Sequence, residues 1–355
     1  MARRLLVVAA ASLLVVVLAA GPALACGGLV SPNGTIALVR TTTLAAYHDG
    51  VEHYVTGFEF VGGGAEFGSI VPLPGVPSRV IRGGDWTLQR LEREVAPPAK
   101  GVALDAASAP APSPSAQVLL QKSIDSLDIT ILKGGGYAVG TWAKDHGFQL
   151  TPDAPEVLDF YASRSPIFMA VQFNAKRAQA RGESIGDAIP IHLVIPTKRP
   201  WVPLRILALG AKGLQPIEAD VFLLTDRRPD LLPAPEGSGD LSPIATGLRL
   251  ERSEPASLQL LTDLRSDRGM DWLPRSDMWL TFLQLDAKAH DLRYDLAIDP
   301  SGRNRPSPID AGLTATDRVL PTPGGSLFGL WLAIGLMAAL LDLAWVQRRR
   351  VRPVA

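Results

Sequence analysis

The chain has 355 residues, of which 35 are basic and 35 are acidic. Zero net charge provides no overall field towards nucleic acid, so we expect no nucleic-acid partner. A single cysteine, Cys26, excludes an internal disulfide framework and a structural zinc site with several cysteine ligands. We expect no cofactor, because the chain lacks a recognisable cofactor motif.

Residues 1–25 have the features of a secretory signal peptide. Two arginines near the start precede an apolar run over residues 5–20, and Ala23 and Ala25 are the small residues that signal peptidase requires. Cleavage after Ala25 predicts a mature protein that begins at Cys26.

Cys26 also raises the alternative of a lipoprotein. That signal usually has leucine three residues before the cysteine and a small residue two before it, whereas Ala23 and Leu24 occupy these places in reverse order. A reactive thiol or an intermolecular disulfide is a further alternative, but a cysteine followed by two glycines is also consistent with a purely backbone role.

The first predicted elements are two strands joined by a tight turn. Residues 36–47 and 51–61 flank Asp49-Gly50, a pair that closes two-residue hairpins because both positions tolerate positive φ. The sequence therefore predicts an antiparallel hairpin, followed by another short strand over residues 66–72.

A short amphipathic helix is predicted over residues 87–95. Leu88, Leu91 and Val95 lie on one face at helical spacing, and a pair of prolines follows. Asp85 is the expected N-cap.

Residues 96–116 are rich in alanine, proline and serine, and they indicate an exposed linker. A strand over 127–132 then leads through three glycines, 134–136, into a helix that ends near His146. Gly147 is its expected left-handed cap, with the following phenylalanine folding back.

The next helix has a clear predicted start. Asp153 and Glu156 have the spacing of a capping box, and Pro155 lies in the first turn, so we expect a helix through Ala162.

The second half is predicted to be mostly β. A proline- and glycine-rich connection over 227–247 and a helix over 256–264 interrupt it. The predicted strands are 167–173, 189–195, 202–209 and 217–224, and an antiparallel pair is expected between 278–286 and 291–298. These elements predict an α+β fold, predominantly antiparallel β with a few short helices and one C-terminal transmembrane helix.

Residues 327–346 form a continuous, mostly apolar run that is long enough to cross a bilayer. The tail over 347–355 carries Arg348, Arg349 and Arg350, and basic residues collect at the cytoplasmic end of a membrane helix. The sequence therefore predicts a single-pass membrane protein whose bulk is extracytoplasmic and whose C-terminus is cytoplasmic.

Residues 300–326 lack a core pattern and are predicted to be a stalk. Their end, 320–326, resembles both a sortase sorting signal and a glycine-glycine processing signal, which leaves C-terminal clipping open. Asp342 lies in the apolar run about one turn from its basic end, where it can reach the membrane interface.

Several ordered motifs resemble the bacterial family called domain of unknown function 2330. They are Cys26-Gly27-Gly28, the strand 58–61 that leads to 68–74, the block 127–148, and 191–207 with Pro196 and Pro203. The resemblance covers residues 26–226, and 227–299 is predicted to be a C-terminal extension of the extracytoplasmic region. The family resemblance implies a secreted, membrane-anchored protein and supplies no activity or site residues.

The histidines are the main candidate site residues. Hairpin register places His48 and His53 on one face and Glu52 on the other, where the two imidazoles are candidate ligands for a weak metal site. They lack a third donor on the same face, so we expect solvated hairpin residues and no metal site. His146 ends a helix, where a capping role is expected. His192 alternates with apolar residues along a strand and is predicted to lie on a polar face.

No catalytic motif is present. The glycine runs 62–64 and 134–136 lack the Lys-Ser/Thr of a phosphate loop and the spaced glycines of a dinucleotide turn. Gly-x-Ser-x-Gly, Ser-x-x-Lys and His-Glu-x-x-His are all missing from the sequence.

We therefore expect a non-enzymatic, membrane-anchored extracytoplasmic binding or interaction protein. Its expected partners are the lipid bilayer and an envelope protein or cell-wall component. A cell-envelope hydrolase is the alternative, and a cleft that gathers a carboxylate with His48, His53 or His192 would favour it.

Overall fold

The structure is a computed structural model that describes residues 29–30, 37–61, 68–95, 116–182, 189–239 and 244–313. The predicted signal peptide, membrane segment and basic tail lie outside these residues. None of the helices within them combines the length and hydropathy needed to cross a bilayer.

The described residues form three sheets and five short α-helices. The strands are β1 (Leu29–Val30), β2 (Ala37–His48), β3 (Val51–Val61), β4 (Gly68–Pro72), β5 (Arg79–Arg82), β6 (Gln117–Ile124), β7 (Leu127–Lys133), β8 (Ile167–Phe173), β9 (Ile191–Pro196), β10 (Trp201–Val202), β11 (Pro216–Thr225), β12 (Asp230–Leu232), β13 (Ala234–Glu236), β14 (Ile244–Pro255), β15 (Trp279–Lys288) and β16 (Leu296–Asp299). The helices are α1 (Thr87–Val95), α2 (Gly136–Asp145), α3 (Ala154–Ala162), α4 (Ala175–Arg181) and α5 (Leu258–Ser266), and a 3-10 helix spans Arg205–Ala208.

The central sheet has eight strands in the order β13-β14-β15-β11-β2-β3-β9-β5. Only β11 with β2 and β13 with β14 are parallel neighbours. The predicted hairpin is confirmed, because β2 pairs with β3 in antiparallel register and the turn residues Asp49 and Gly50 have φ of 48° and 79°. The α+β class, mostly antiparallel, is also confirmed.

One face of the central sheet, which we call the helix face, is covered by α1 and α5. Strand alternation directs Leu44, Val55 and Phe222 to this side, where they share a core with Leu91 and Leu260. All five side chains are fully buried.

The opposite face, which we call the sheet face, shares a larger core with the second sheet. That sheet has five antiparallel strands in the order β1-β4-β8-β7-β6. Tyr54 and Val221 of the central sheet belong to one apolar cluster with Ile129 and Phe168 of the second sheet. A third sheet, β10-β16-β12, completes the described fold.

A buried carboxylate joins the third sheet to α3. The Oδ1 atom of Asp295 accepts hydrogen bonds from Tyr161 Oη at 2.8 Å and from the amides of Leu204 and Arg205 at 2.8 and 3.0 Å. Its Oδ2 atom accepts from Arg164 Nη2 at 2.5 Å. These donors fix the turn before the 3-10 helix against α3.

The predicted helix α1 is confirmed, but its N-terminus is capped from elsewhere in the chain. Asp267, the residue after α5, accepts hydrogen bonds from the amides of Asp85 and Trp86 and from Thr87 Oγ1. The carboxylate of Asp85 pairs with Arg82 instead. The expectation that Asp85 is the N-cap is therefore wrong.

Helix α3 is confirmed, whereas its predicted capping box is wrong. Asp153 has helical φ and ψ and makes no side-chain cap, and its Oδ2 accepts from the amide of Gly210 at 3.0 Å. Glu156 pairs with Arg205 Nη2. Tertiary partners have replaced the local pairing.

The predicted end of α2 is confirmed. Gly147 has φ of 84°, its amide donates to the carbonyl of Lys144, and the amide of Phe148 donates to the carbonyl of Ala143. This is the hydrogen-bond pattern of a Schellman motif.

Several elements of the second half differ from prediction. The strand expected over 202–209 contains only β10 and the 3-10 helix, because the Leu204 and Arg205 amides bond to Asp295. The connection over 227–247 contains β12, β13 and the start of β14. The pair expected between 278–286 and 291–298 does not form, since β15 pairs with β11 and β14 while β16 lies in the third sheet.

Residues 300–313, assigned to the stalk from sequence, are described and packed. Ala311 is fully buried in a small cluster with Leu232 and Ala297, and Arg164 Nη1 donates to the carbonyl of Asp310 at 2.8 Å. These residues belong to the same compact unit as the rest of the described chain.

Candidate functional site

Two of the candidate histidines meet on the helix face. Strand β9 pairs with β3, which places His192 opposite Val55 and next to His53. His53 Nδ1 and His192 Nε2 are 3.0 Å apart, and the two residues are only 8% and 1% exposed. Solvent exposure of His53 and a polar-face position for His192 were therefore wrong expectations.

His48 does not join this pair. Its Nδ1 lies 2.7 Å from Asp226 Oδ1 at the partly exposed end of the hairpin. The described residues contain no group of three or more His, Cys, Asp or Glu side chains that could hold a metal ion.

Trp272, which the sequence did not single out, lies over the histidine pair. Its ring stacks on His53 with 3.4 Å between centroids and 10° between planes. Trp272 Nε1 and His192 Nδ1 are both buried without a hydrogen-bond partner among the described residues. The cluster is therefore tightly packed, and only some of its polar atoms make hydrogen bonds.

Burial keeps both imidazoles neutral. Desolvation, followed by the neighbouring His192, lowers the pKa of His53 to about 3. Desolvation, followed by the charge of Arg79, lowers the pKa of His192 to about 4. In the neutral pair one imidazole donates and the other accepts, and no carboxylate hydrogen-bonds to either ring in the described chain.

Glu52 lies on the sheet face, as the register predicted, and is completely buried. Neither carboxyl oxygen has a hydrogen-bond partner among the described residues. Burial without compensation raises the pKa of Glu52 to about 8. Glu52 is therefore protonated at neutral pH, and the sheet separates it from both histidines.

His146 has the expected position at a helix end. Its Nδ1 lies 2.7 Å from the carbonyl oxygen of Trp142, and its ring stacks on that indole at 3.8 Å. In the second glycine run, a Cβ on Gly136 would come within 2.5 Å of the Asp159 amide, so this glycine permits close packing of α2 on α3. The first run, 62–64, lies outside the described residues.

The signal-cleavage residues Ala23, Ala25 and Cys26 and the topology residues Arg348, Arg349 and Arg350 also lie outside the described residues. Asp342 does so as well.

A cleft of about 310 Å³, partly open to solvent, lies beside β14 and β15. Its other wall is the chain over 228–238, which carries β12 and β13. Pockets that hold small molecules usually have volumes of about 300–1,000 Å³. The cleft is large enough for a small ligand.

Hydroxyl groups form part of the cleft lining. Ser253 and Thr281 lie directly opposite each other on β14 and β15. Ser253 Oγ accepts a hydrogen bond from Trp279 Nε1 at 2.9 Å, which leaves the hydroxyl proton of Ser253 free to donate. Thr281 is 1% exposed, and its Oγ1 has no partner among the described residues.

Charged and apolar side chains complete the lining. Arg228 makes no ion pair with another described residue. Asp230 Oδ1 accepts a hydrogen bond from the amide of Leu231 at 3.0 Å. Leucine, alanine and proline side chains, which are Pro229, Leu231, Ala234, Pro235 and Leu250, supply the apolar surface.

Two other candidate pockets are weaker. A cavity between the central and second sheets has a volume of about 20 Å³, which is room for one water molecule. A wide groove beside α1 is lined by Arg90, Glu94 and Asp263, whose charges already pair with one another.

Sequence reasoning missed the cleft because one of its walls comes from the segment assigned to a connection. The three prolines at 229, 233 and 235 supported that assignment. The consecutive apolar residues Leu231 and Leu232 between them were the available strand signal.

The sequence profile of one bacterial family matches residues 20–284, about three-quarters of the chain. Its description is "Uncharacterized protein conserved in bacteria (DUF2330)". No curated protein sequence matches the chain.

Two solved structures show a distant similarity. The crystal structure of baculovirus P35 is 11% identical, with 76% of this chain and 98% of that chain covered and a TM-score of 0.41. A mutated baculovirus P35 after caspase cleavage is 8% identical, with 73% and 99% covered and a TM-score of 0.37. Both TM-scores are below the value that marks a shared fold.

Proposed function

The chain belongs to the bacterial family of domain of unknown function 2330, and we propose that it is an extracytoplasmic binding protein held at a membrane by one C-terminal helix. In this proposal the cleft beside β14 and β15 holds its ligand.

The membrane attachment rests on sequence. The apolar run 327–346 is followed by Arg348, Arg349 and Arg350, and residues 1–25 have the pattern of a cleavable signal. Together they support the proposal that the folded part is outside and the C-terminus inside.

The observation that carries the binding role is the open cleft with unused hydrogen-bonding groups. Arg228 has no counter-ion in the described chain, and the hydroxyl proton of Ser253 makes no hydrogen bond to another described residue. Unused donors at the wall of a cleft of this size support a bound molecule as their partner.

A cell-envelope hydrolase is the alternative. It would need His48, His53 or His192 as a base, with a carboxylate to orient the ring and a nucleophile within reach. His48 contacts Asp226, but it lies at the partly exposed end of the hairpin and outside the cleft lining. In the described residues His53 and His192 hydrogen-bond only to each other, and Glu52, which adjoins His53 in sequence, lies on the opposite face. This arrangement favours binding over hydrolysis.

Co-purified ligand tests the binding role. Full-length protein and a Leu250→Trp variant, in which the indole would fill the cleft, are purified in nanodiscs, and the released small molecules are compared by mass spectrometry. Leu258→Trp is the control, because Leu258 is 66% exposed on α5 and does not line the cleft. We expect a compound that is retained by wild type and the control and lost from Leu250→Trp. Identical compounds in all three proteins would contradict the proposal.

Protease accessibility tests the membrane topology. Protease added to intact spheroplasts should degrade the folded part, while a tag placed after Ala355 stays protected. Protection of the folded part would contradict the proposed orientation.

A further inference from the structure

The cleft presents several hydrogen-bond donors that no other described residue uses. Arg228 presents a guanidinium with five N–H groups and no counter-ion among the described residues. Ser253 is already an acceptor for Trp279, so its remaining proton can only be donated. The hydroxyl of Thr281 has no partner among the described residues, but it is shielded from solvent and is not counted as a donor to the cleft. A complementary ligand must therefore offer acceptor oxygens.

The charge balance limits the charge of that ligand. Asp230 also lines the cleft, and its negative charge opposes a multiply charged anion. One guanidinium matches one carboxylate, which it can bind through two parallel N–H···O bonds. A single negative charge fits this balance better than a phosphate dianion.

The rest of the lining indicates an aliphatic body. Leu231, Pro235 and Leu250 provide apolar surface, and the described residues that line the cleft include no aromatic ring. Sugars and nucleobases are commonly held by stacking on aromatic rings, so this lining favours an aliphatic ligand.

From these features we infer that the cleft binds a small monocarboxylate with a short aliphatic chain. Arg228 pairs with the carboxylate, the hydroxyl of Ser253 donates to a ligand oxygen, and the leucine and proline wall contacts the aliphatic chain. The inference rests on the proposed binding function and adds the chemical class of the ligand.

Butyrate and its neutral analogue butyramide are matched probes for this inference. Binding to the full chain in nanodiscs is measured by ligand-observed NMR titration. We expect saturable butyrate binding that is absent in Leu250→Trp, and butyramide binding that is weaker by at least about 10-fold, the loss of one charge-assisted interaction.

Three substitutions test which charged side chains of the cleft contribute to butyrate binding. Arg228→Gln should weaken butyrate binding at least about 10-fold, whereas Arg227→Gln, at the neighbouring exposed arginine outside the cleft lining, should leave it unchanged. Asp230→Asn should strengthen it about 2-fold by removing a like charge. A gain of affinity cannot arise from unfolding, and thermal melts control the folding of the other two variants.

The outcomes separate the ligand class from the binding role. Equal binding of both probes that is lost in Leu250→Trp would overturn the carboxylate and leave the cleft as a binding site. Butyrate binding that persists in Leu250→Trp, or that weakens equally in Arg227→Gln and Arg228→Gln, would overturn the inference. Either result would mean that butyrate pairs with arginines at the surface and does not enter the cleft. The inference would also be overturned if neither butyrate nor butyramide bound. The binding role itself is decided independently, by the comparison of co-purified compounds.

Discussion

Asp295 and Glu52 are both completely buried carboxyl residues, yet their surroundings are opposite. Asp295 accepts three hydrogen bonds on one oxygen and a guanidinium on the other. Glu52 has no partner for either oxygen in the described chain. The difference shows that the cost of burying a carboxyl depends on the donors around it more than on its depth.

The same contrast applies to other buried polar groups of this protein. Thr225 donates to the carbonyl of Arg227 at 2.6 Å, whereas Thr281 on the neighbouring strand β15 has no partner within the described residues. Satisfied groups hold elements together, and unsatisfied groups make stability depend on pH or on a bound molecule. Four predictions test this distinction.

Removing the satisfied carboxylate should have the largest effect. Asp295→Ala leaves the Arg164 guanidinium, the Tyr161 hydroxyl and two amides without their acceptor. We expect a loss of about 3–5 kcal/mol in the free energy of unfolding, measured by urea denaturation. Asp291→Ala, which removes a partly exposed partner of His290, should cost less than about 1 kcal/mol. A similar small cost at both positions would show that the Asp295 contacts add little.

Glu52 should make the protein less stable at alkaline pH. Its pKa is about 8 in the folded protein and 4.5 in the unfolded chain. Between these values the folded state binds more protons, so stability falls as pH rises. Relative to wild type, Glu52→Gln should gain up to about 4 kcal/mol in unfolding free energy between pH 4.5 and 8.

The measurement is a series of urea denaturation curves across this pH range. Glu254→Gln, at an exposed glutamate, is the control and should follow the wild-type pH dependence. If the unfolding free energies of Glu52→Gln and wild type had the same pH dependence, this would contradict the conclusion that Glu52 is buried without a hydrogen-bond partner.

The histidine pair should cause the opposite pH dependence. The folded-state pKa values, about 3 for His53 and about 4 for His192, lie below the ordinary value of 6.5. The unfolded chain therefore binds more protons between about pH 4 and 6.5, and stability falls as pH falls through this range.

His192→Gln should reduce this acid sensitivity by about 2 kcal/mol between pH 6.5 and 4.5. His290→Gln, at an exposed histidine, should not change it. Since Glu52 is present in all three proteins, its contribution cancels in the comparison. If His192→Gln lost as much unfolding free energy as wild type between pH 6.5 and 4.5, the histidine pair would not be the cause of the acid sensitivity.

The two threonines should give the smallest effects, of opposite sign. Thr281→Val removes an unpartnered hydroxyl and should stabilise the ligand-free protein by about 1 kcal/mol. Thr225→Val removes the donor to the carbonyl of Arg227 and should destabilise the protein by about 1 kcal/mol. Thermal denaturation of the two variants checks the prediction, and destabilisation by both substitutions would mean that Thr281 has a partner after all.

Turn and register signals in the sequence predicted local structure well, whereas the N-caps expected at Asp85 and Asp153 were wrong. Asp49-Gly50 identified the first hairpin because its turn needs two positive φ values, and Gly147 identified the end of α2 for a similar reason. The register of the hairpin also placed His48, His53 and Glu52 on the correct faces. Each of these signals involves residues close together in the chain.

The remaining features depend on contacts between distant segments. His53 meets His192 only because β9 pairs with β3, and Asp267 caps α1 although it lies some 180 residues later. Sequence periodicity indicates which residues of a strand share a face, but it does not identify the neighbouring strand. The cleft was missed for the same reason.

The pairing of β2 with β11 has a consequence for the order of events during synthesis. The chain emerges from its N-terminus, so the first hairpin can form early, within microseconds of its completion. One edge of β2 then stays open until residues 219–225 arrive, and β11 in turn waits for β15. An open strand edge can pair with other chains. This long interval leaves the edge of β2 open to pairing with other chains until the last strands of the sheet are available.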